Sequence, residues 1–223
     1  MVPVKSLAES KSRLVAALSP DARGELALAM LGDVLDALGG AERVDVRAVV
    51  TPDDDVAAAA ERAGARAIVA RAPGLNASLD AAALALARDA GLGARPGDAL
   101  LVVLGDVAGA TARDVDALCA SLDGVDGPAV ALAASHDGGT AALLRRPPDA
   151  IPSRFGAASA DAHRAAAAAA RVPCLEPRVP SLAIDLDVPG DVDAFVARGA
   201  DGDDGGARTR ALLARARTGS APA

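Results

Sequence analysis

Apolar positions along the 223-residue chain alternate between two spacings. Short apolar runs bounded by Gly, Pro or Asp read as strands: one ending at Val4, then 44–51, 67–70, 99–104 and 129–134, with shorter ones at 142–145, near Cys174 and at 182–186. Between them, apolar residues fall three or four positions apart. Leu26, Met30, Val34 and Leu38 recur every fourth residue and give a helix over 19–38 its buried stripe. Ser19-Pro20-Asp21 starts that helix with a cap, a first-turn proline and a first-turn acid, and Gly39-Gly40 stops it. Further helices are expected over 53–63, 77–90, 111–122, 159–170 and 189–197. The run at 99–104 is apolar on both faces, as a central strand covered by helices must be. This alternation predicts βαβ units: an α/β fold of three layers, with a mostly parallel sheet and helices on both faces. Residues 1–198 make one domain. The Gly- and Asp-rich, then Arg-rich, stretch 199–223 has weak helical character near 209–217 and is expected to be a flexible tail.

In such sheets ligands bind beyond the carboxyl ends of the strands, which directs attention to the loops after Val4, Leu104 and Leu186. The first holds Lys5, Lys11 and Arg13. Of the 23 basic residues, Lys5 and Lys11 are the only lysines. A compact ammonium on a flexible stem can follow a phosphate as its charge changes, so two retained lysines in one loop point to polyphosphate binding. The alternative is a solvated basic loop. Asp106 ends the clearest strand and faces either a ligand or its own turn. Asp185 and Asp187 are two apart and share one face of an extended chain, although Asp187 also suits a cap before Pro189. Three carboxylates gathered at one crevice suit Mg²⁺, which takes oxygen ligands and nucleotide phosphates together. Asp53-Asp54-Asp55 is better explained by the dipole of the helix it opens than by a metal.

Composition narrows the function. Aromatic residues make up 1% of the chain and the net charge is −7, which excludes stacking on single-stranded nucleic acid and a globally basic binding face. Cys119 and Cys174 are isolated and are expected to be buried, unpaired thiols in a reducing cytosol, a disulfide between them being the alternative. No leader or membrane-spanning segment is expected, so the chain is placed in the cytoplasm, acting on small molecules, with a homodimer left open. No Ser-His-Asp or Cys-His arrangement calls for a protein nucleophile.

The stretch VPVK-x-L-x-x-x-KSRL at 2–14 resembles the N-terminal signature of the phospholactate/phosphoenolpyruvate guanylyltransferase family (CofC/FbiD) of coenzyme F420 biosynthesis. Gly74-Leu75-Asn76-Ala77-Ser78-Leu79 is similar to that family's GLN-x-x-L loop, and Leu104-Gly105-Asp106 stands where its central strand ends in an acid. Gly138-Gly139-Thr140 matches part of a Gly-Thr-Asn segment, Phe155-Gly156 with Ser159 and His163 an FG-x-x-S-x-x-x-H motif, and 183–189 a closing DxDxP segment. The resemblance implies a nucleotide-diphospho-sugar-transferase-like fold and an enzyme that transfers GMP from GTP to a phosphorylated three-carbon acid with Mg²⁺, releasing pyrophosphate. It implies that Lys5, Lys11 and Arg13 neutralise the leaving pyrophosphate, and that Asp106, Asp185 and Asp187 hold the metal. Asn76 would meet the nucleotide, and Thr140, Gly156 and Ser159 the acceptor. The chain departs from the family at Ala141, where an Asn is usual, and at Val107-Ala108-Gly109, where Leu-Pro-Leu is usual. The alternatives are a nucleotidyltransferase of the same fold with a sugar-phosphate or molybdopterin acceptor, and a catalytically degenerate nucleotide-binding protein. His163 either approaches the acceptor or is a satisfied structural histidine.

Overall fold

Two helix caps set the frame of the computed structural model, which describes residues 1–9, 19–70, 72–89, 91, 98–183, 186, 189–199 and 205–218. Helix α1 (Pro20–Gly40) starts where the Ser19 hydroxyl accepts the Ala22 amide. It includes the two glycines expected to end it. A side chain at Gly39 would meet the Arg47 guanidinium and one at Gly40 the Ala112 methyl, so the bare backbone lets the helix end pack closely. Helix α2 (Asp54–Arg62) is capped by Asp53, which accepts from the Asp55 and Val56 amides. That gives the triple carboxylate its structural explanation.

Strands β1 (Val2–Pro3), β2 (Ala48–Thr51) and β3 (Arg66–Val69) pair in parallel in the order β1-β2-β3. Strands β4 (Leu100–Val103), β6 (Thr140–Arg146), β5 (Ala129–Ala134) and β7 (Cys174–Leu175) form the rest, in that order. Met1 joins the two halves. Its amino group donates to the Leu101 carbonyl at 2.7 Å and its carbonyl accepts from Val103 at 3.1 Å, the bracketing bond pattern of parallel neighbours. The sheet is therefore parallel through β3-β2-β1-β4, while β6 runs antiparallel to both β4 and β5. The reason is the short turn 135–139 between β5 and β6, which has no room for a crossover.

Helices α1, α2 and α4 (Ala112–Ala120) cover one face and α3 (Leu75–Arg88) and α5 (Ser159–Ala170) the other. Val34 and Leu38 of the expected stripe join the first core. Leu26 and Met30 instead pack with Phe195 of α6 (Pro189–Gly199). The expected flexible tail departs from that reading over Ala207–Thr218, which forms a helix, α7, packed on α1. The cause is the buried Asp33 of α1, whose two carboxylate oxygens accept the Arg208 and Thr209 amides at 2.9 and 2.8 Å and so cap α7 from outside. Among the described residues no helix is long and apolar enough to cross a membrane.

Candidate active site

Strand β1 ends in a loop that starts with Lys5, an exposed side chain. Two bonds fix this exit: the Val4 amide donates to the Val50 carbonyl at 2.9 Å, and the Leu7 amide to Asp53 Oδ2 at 2.8 Å. Asp53 thus caps α2 with one oxygen and holds the lysine loop with the other. Beside it, β4 ends at Gly105-Asp106. A Cβ at Gly105 would lie 3.0 Å from Val4 Cγ2 and 3.1 Å from the Pro3 carbonyl, so a side chain there would press the two strand ends apart by a few tenths of an ångström. Lys5 and Asp106 are each one residue beyond that contact, at the same end of the sheet. The half-buried Asp106 receives the Leu186 amide on its carbonyl at 3.1 Å, and Leu186 stands between Asp185 and Asp187 in the chain. Asp185, Asp187, Lys11 and Arg13 lie outside the described residues. Among the described residues, no three His, Cys, Asp or Glu side chains gather as a metal centre.

The turn from β5 to β6 reaches the same end. Ser135 donates to Asp137 Oδ1 at 2.5 Å, the Gly139 amide donates to the same oxygen at 2.9 Å, and the Ser135 amide donates to the Gly139 carbonyl at 3.0 Å. The turn is tied outward as well. The His136 amide donates to the Ala183 carbonyl at 3.2 Å, and the Gly138 carbonyl accepts the Ala160 amide at 3.2 Å. The second bond brings Thr140 beside the start of α5, where Ser159 is buried and Gly156 is exposed with φ 140°. A Cβ at Gly156 would meet nothing within 4 Å, so its glycine serves backbone conformation and leaves the main chain open to a ligand. The start of α5 thus brings the buried Thr140 and Ser159 hydroxyls and the open Gly156 main chain together, with the Ser159 and Ala160 amides already given to the Gly156 and Gly138 carbonyls.

A second set of side chains, largely missed by sequence reasoning, holds the loop 151–156 that leads into α5. Asn76 of α3 accepts the Phe155 amide at 2.8 Å and donates to the Phe155 carbonyl at 3.0 Å. Its amide is thus mostly committed to positioning this loop. One turn later, Asp80 accepts from the Ser153 hydroxyl at 2.6 Å, the Ser153 amide at 3.1 Å and Arg145 Nη1 at 3.1 Å. Arg145 is 1% exposed and also donates to the Ile151 carbonyl. His163 is fully buried behind Thr140, with Nε2 accepting the Arg154 amide at 2.9 Å and Nδ1 2.9 Å from Thr140 Oγ1. It is the satisfied histidine of the two sequence alternatives and does not face the ligand space. Burial, and then the nearby charge of Arg145, push its pKa down to about 4, so the ring is neutral. Polar residues four apart on α3, Asn76 and Asp80, were the one local signal for this network. Ala141 is buried in the core under α1 and α4, and its carbonyl accepts the Leu104 amide at 2.9 Å, so this position contributes main chain to the strand ends.

Comparison with known proteins matches the family model "Guanylyl transferase CofC like" over residues 1–202. A phosphoenolpyruvate guanylyltransferase of Sphaerobacter thermophilus is 42% identical over 92% of this chain and 97% of its own. A 3-phospho-D-glycerate guanylyltransferase of Phenylobacterium zucineum is 40% identical over 85% of each chain. Among solved structures, one described as a nucleotide-diphospho-sugar transferase from Desulfovibrio desulfuricans G20 superposes with a TM-score of 0.69 at 17% identity, covering 97% of this chain and 95% of that one. A nucleotidyl transferase from Methanothermobacter thermautotroptrophicus gives 0.58 at 19% identity, covering 88% and 98%. These two likenesses establish the three-layer nucleotidyltransferase fold.

Proposed function

The chain belongs to the CofC-like guanylyl transferase family and is a nucleotidyltransferase, and from that premise we propose a reaction and a role for each group at the sheet's end. A phosphate oxygen of a phosphorylated three-carbon acid attacks the α-phosphorus of GTP. The bond from that phosphorus to the β-bridging oxygen breaks, a phosphoanhydride forms, and pyrophosphate leaves, in a step of coenzyme F420 biosynthesis. The acceptor is phosphoenolpyruvate, 3-phosphoglycerate or 2-phospholactate; relatives are named for the first two. The observation that carries this is the meeting of the β1 and β4 exits at Gly105, with the Thr140 and Gly156–Ser159 cradle at the same end of the sheet.

No protein nucleophile is needed; catalysis is positioning and charge stabilisation. Thr140, the Gly156 main chain and the Ser159 end of α5 hold the acceptor's anionic groups. Asn76, by fixing Phe155, keeps that cradle in shape and leaves one amide proton for the nucleotide. Lys5, Lys11 and Arg13 take up the charge of the departing pyrophosphate. The donor chemistry of Asp106 fits a hard divalent ion, and Asp106 with Asp185 and Asp187 would hold Mg²⁺, which lowers the negative charge of the reacting phosphates when bound. The substrates are small cytosolic anions, and the enzyme acts in the cytoplasm without nucleic acid or membrane.

A pyrophosphate-release assay with GTP, Mg²⁺ and each of the three acids tests this. Release with GTP and one acid supports it, whereas release only with CTP or a sugar phosphate replaces it with another transferase of the fold. GTP binding without any turnover would make the chain a degenerate binder. Asp106→Asn should abolish turnover with an unchanged thermal midpoint; an active Asp106→Asn enzyme removes Asp106 from the chemistry.

A further inference from the structure

The hydrogen bonds of one buried ring determine which way a neighbouring hydroxyl points. A backbone amide can only donate, so His163 Nε2, 2.9 Å from the Arg154 amide, must present its lone pair. A neutral imidazole carries one ring proton, which is therefore on Nδ1, 2.9 Å from Thr140 Oγ1. The Ser159 carbonyl, one turn back on α5, shares that proton, and because a protonated Nδ1 cannot accept, the hydroxyl keeps its own proton to give. Among the described residues the Thr140 side chain makes no other hydrogen bond. The ring cannot swivel to change this: Phe155 meets it edge-on with centroids 5.0 Å apart at 72°, and Phe155 is itself held at both backbone atoms by Asn76.

We propose that His163 is a positioning residue for the acceptor: by donating from Nδ1 to Thr140 Oγ1, it turns the Thr140 hydroxyl proton outward as a committed donor to the acceptor's anionic oxygen. The proposal rests on Thr140 meeting the phosphoacid. A serine or threonine hydroxyl in water rotates freely between donating and accepting. One locked as a donor repels cations, gives no purchase to neutral groups that only donate, and is paired in advance with an oxyanion. The charged groups around the ring are Arg145 on β6, Arg154 on the loop and Asp80 on α3. The two arginines disfavour its protonation, while the hydrogen bond to the Ser159 backbone and then Asp80 oppose them. The ring thus keeps its single proton, and the hydroxyl its direction, throughout the neutral range.

The test uses the full-length enzyme, GTP and phosphoenolpyruvate, or 3-phosphoglycerate if that is the acid turned over. His163→Asn leaves an amide N–H₂ near the Nδ1 position, while His163→Gln leaves its amide near Nε2 and His163→Leu leaves neither. Without the ring N–H the Thr140 hydroxyl is free to turn away from the acceptor, and losing its bond to that charged group predicts a roughly 10-fold rise in acceptor KM for the Gln and Leu variants, with the KM for GTP within about twofold. His163→Asn should recover most of the acceptor affinity. In a Thr140→Val background, His163→Gln should change nothing further. Equal damage in the Asn and Leu variants overturns the proposal, as does a parallel rise in the KM for GTP or additivity with Thr140→Val. Loss of the cooperative thermal transition in the Asn and Leu variants alike makes the ring purely structural and also overturns it. If Thr140→Val alone leaves acceptor KM unchanged, the placement of the acceptor at Thr140 is wrong and the proposal falls with it. That outcome is distinct from a damaging Thr140→Val with silent His163 variants.

Discussion

Asp80→Ala should be the most destabilising single change in the loop that shapes the acceptor cradle. Arg145 lies inside the sheet face covered by α3 and α5. Among the described residues its buried Nε and Nη2 have no hydrogen-bond partner, and Nη1 has Asp80 and the Ile151 carbonyl. Removing the carboxylate leaves an arginine charge in an apolar layer, and it also strips Ser153 of the acceptor for its hydroxyl and amide. Breaking a buried pair by deleting one partner costs about 3–5 kcal/mol. Asp80 itself is 40% exposed, so water reaches its side of the pair and the lower end applies, about 3 kcal/mol. In a chain of this size that corresponds to a fall of about 10 °C in thermal midpoint. Asp80→Asn keeps an acceptor for Ser153 and loses only the charge, so about half the effect is expected. Removing the cation as well, in Arg145→Met with Asp80→Ala, should restore part of the loss, a coupling that a double-mutant cycle from urea unfolding reads directly. Exposed Asp126→Ala serves as the control and should stay within about 0.5 kcal/mol. A loss below about 1 kcal/mol for Asp80→Ala, or simple additivity with Arg145→Met, would falsify the view that this pair carries the loop.

Three further outcomes follow from single carboxylates and one ring. The folded His163 stays neutral down to about pH 4 while the unfolded chain takes a proton near 6.5, so its contribution is complete above pH 6.5 and is lost as pH falls from 6.5 to 4. The full shift converts to about 3 kcal/mol, and about 2 after allowing for solvent screening, so His163→Asn should show a flatter midpoint between pH 7 and 4; parallel curves refute it. Asp33→Ala uncaps α7 and should cost about 2 kcal/mol, read as faster tryptic cleavage at Arg208 and Arg210, and an unchanged cleavage rate would mean α7 docks without its cap. Asp53→Ala frees the Leu7 amide and the lysine loop, and a KM for GTP raised about fivefold is expected beside an unaffected Asp54→Ala; equal values for the two would separate the loop from the nucleotide.

How much of this was legible in the sequence depends on the range over which each feature is encoded. Helix α5 and strand β5 have the bounds that spacing predicts, because an Ala-rich run after Ser159 and an apolar run before Ser135 are locally complete signals. Helix α7 showed in the sequence only as weak helical character inside a Gly- and Asp-rich, then Arg-rich, tail; what orders it is Asp33, 175 and 176 positions away from the amides it caps. No window of the sequence contains both ends of that bond. The same holds at the candidate site. Lys5 and Asp106 were found from strand ends, a local rule with a general physical basis. Asp80 and Arg145 were not singled out, since a charge in a strand looks solvated until its partner, 65 positions earlier, is seen beneath the same loop. Asn76 shows how a motif and a contact differ. The pattern marks the residue as functional, and the coordinates show its amide committed to the Phe155 backbone. The residues that form the cradle and those that hold it rigid are therefore distinct sets. Composition and spacing favour the first because those groups stand at strand and helix ends, which local patterns mark. The second is specified only by three-dimensional packing, which is why His163 stood between two roles until both of its ring nitrogens had partners.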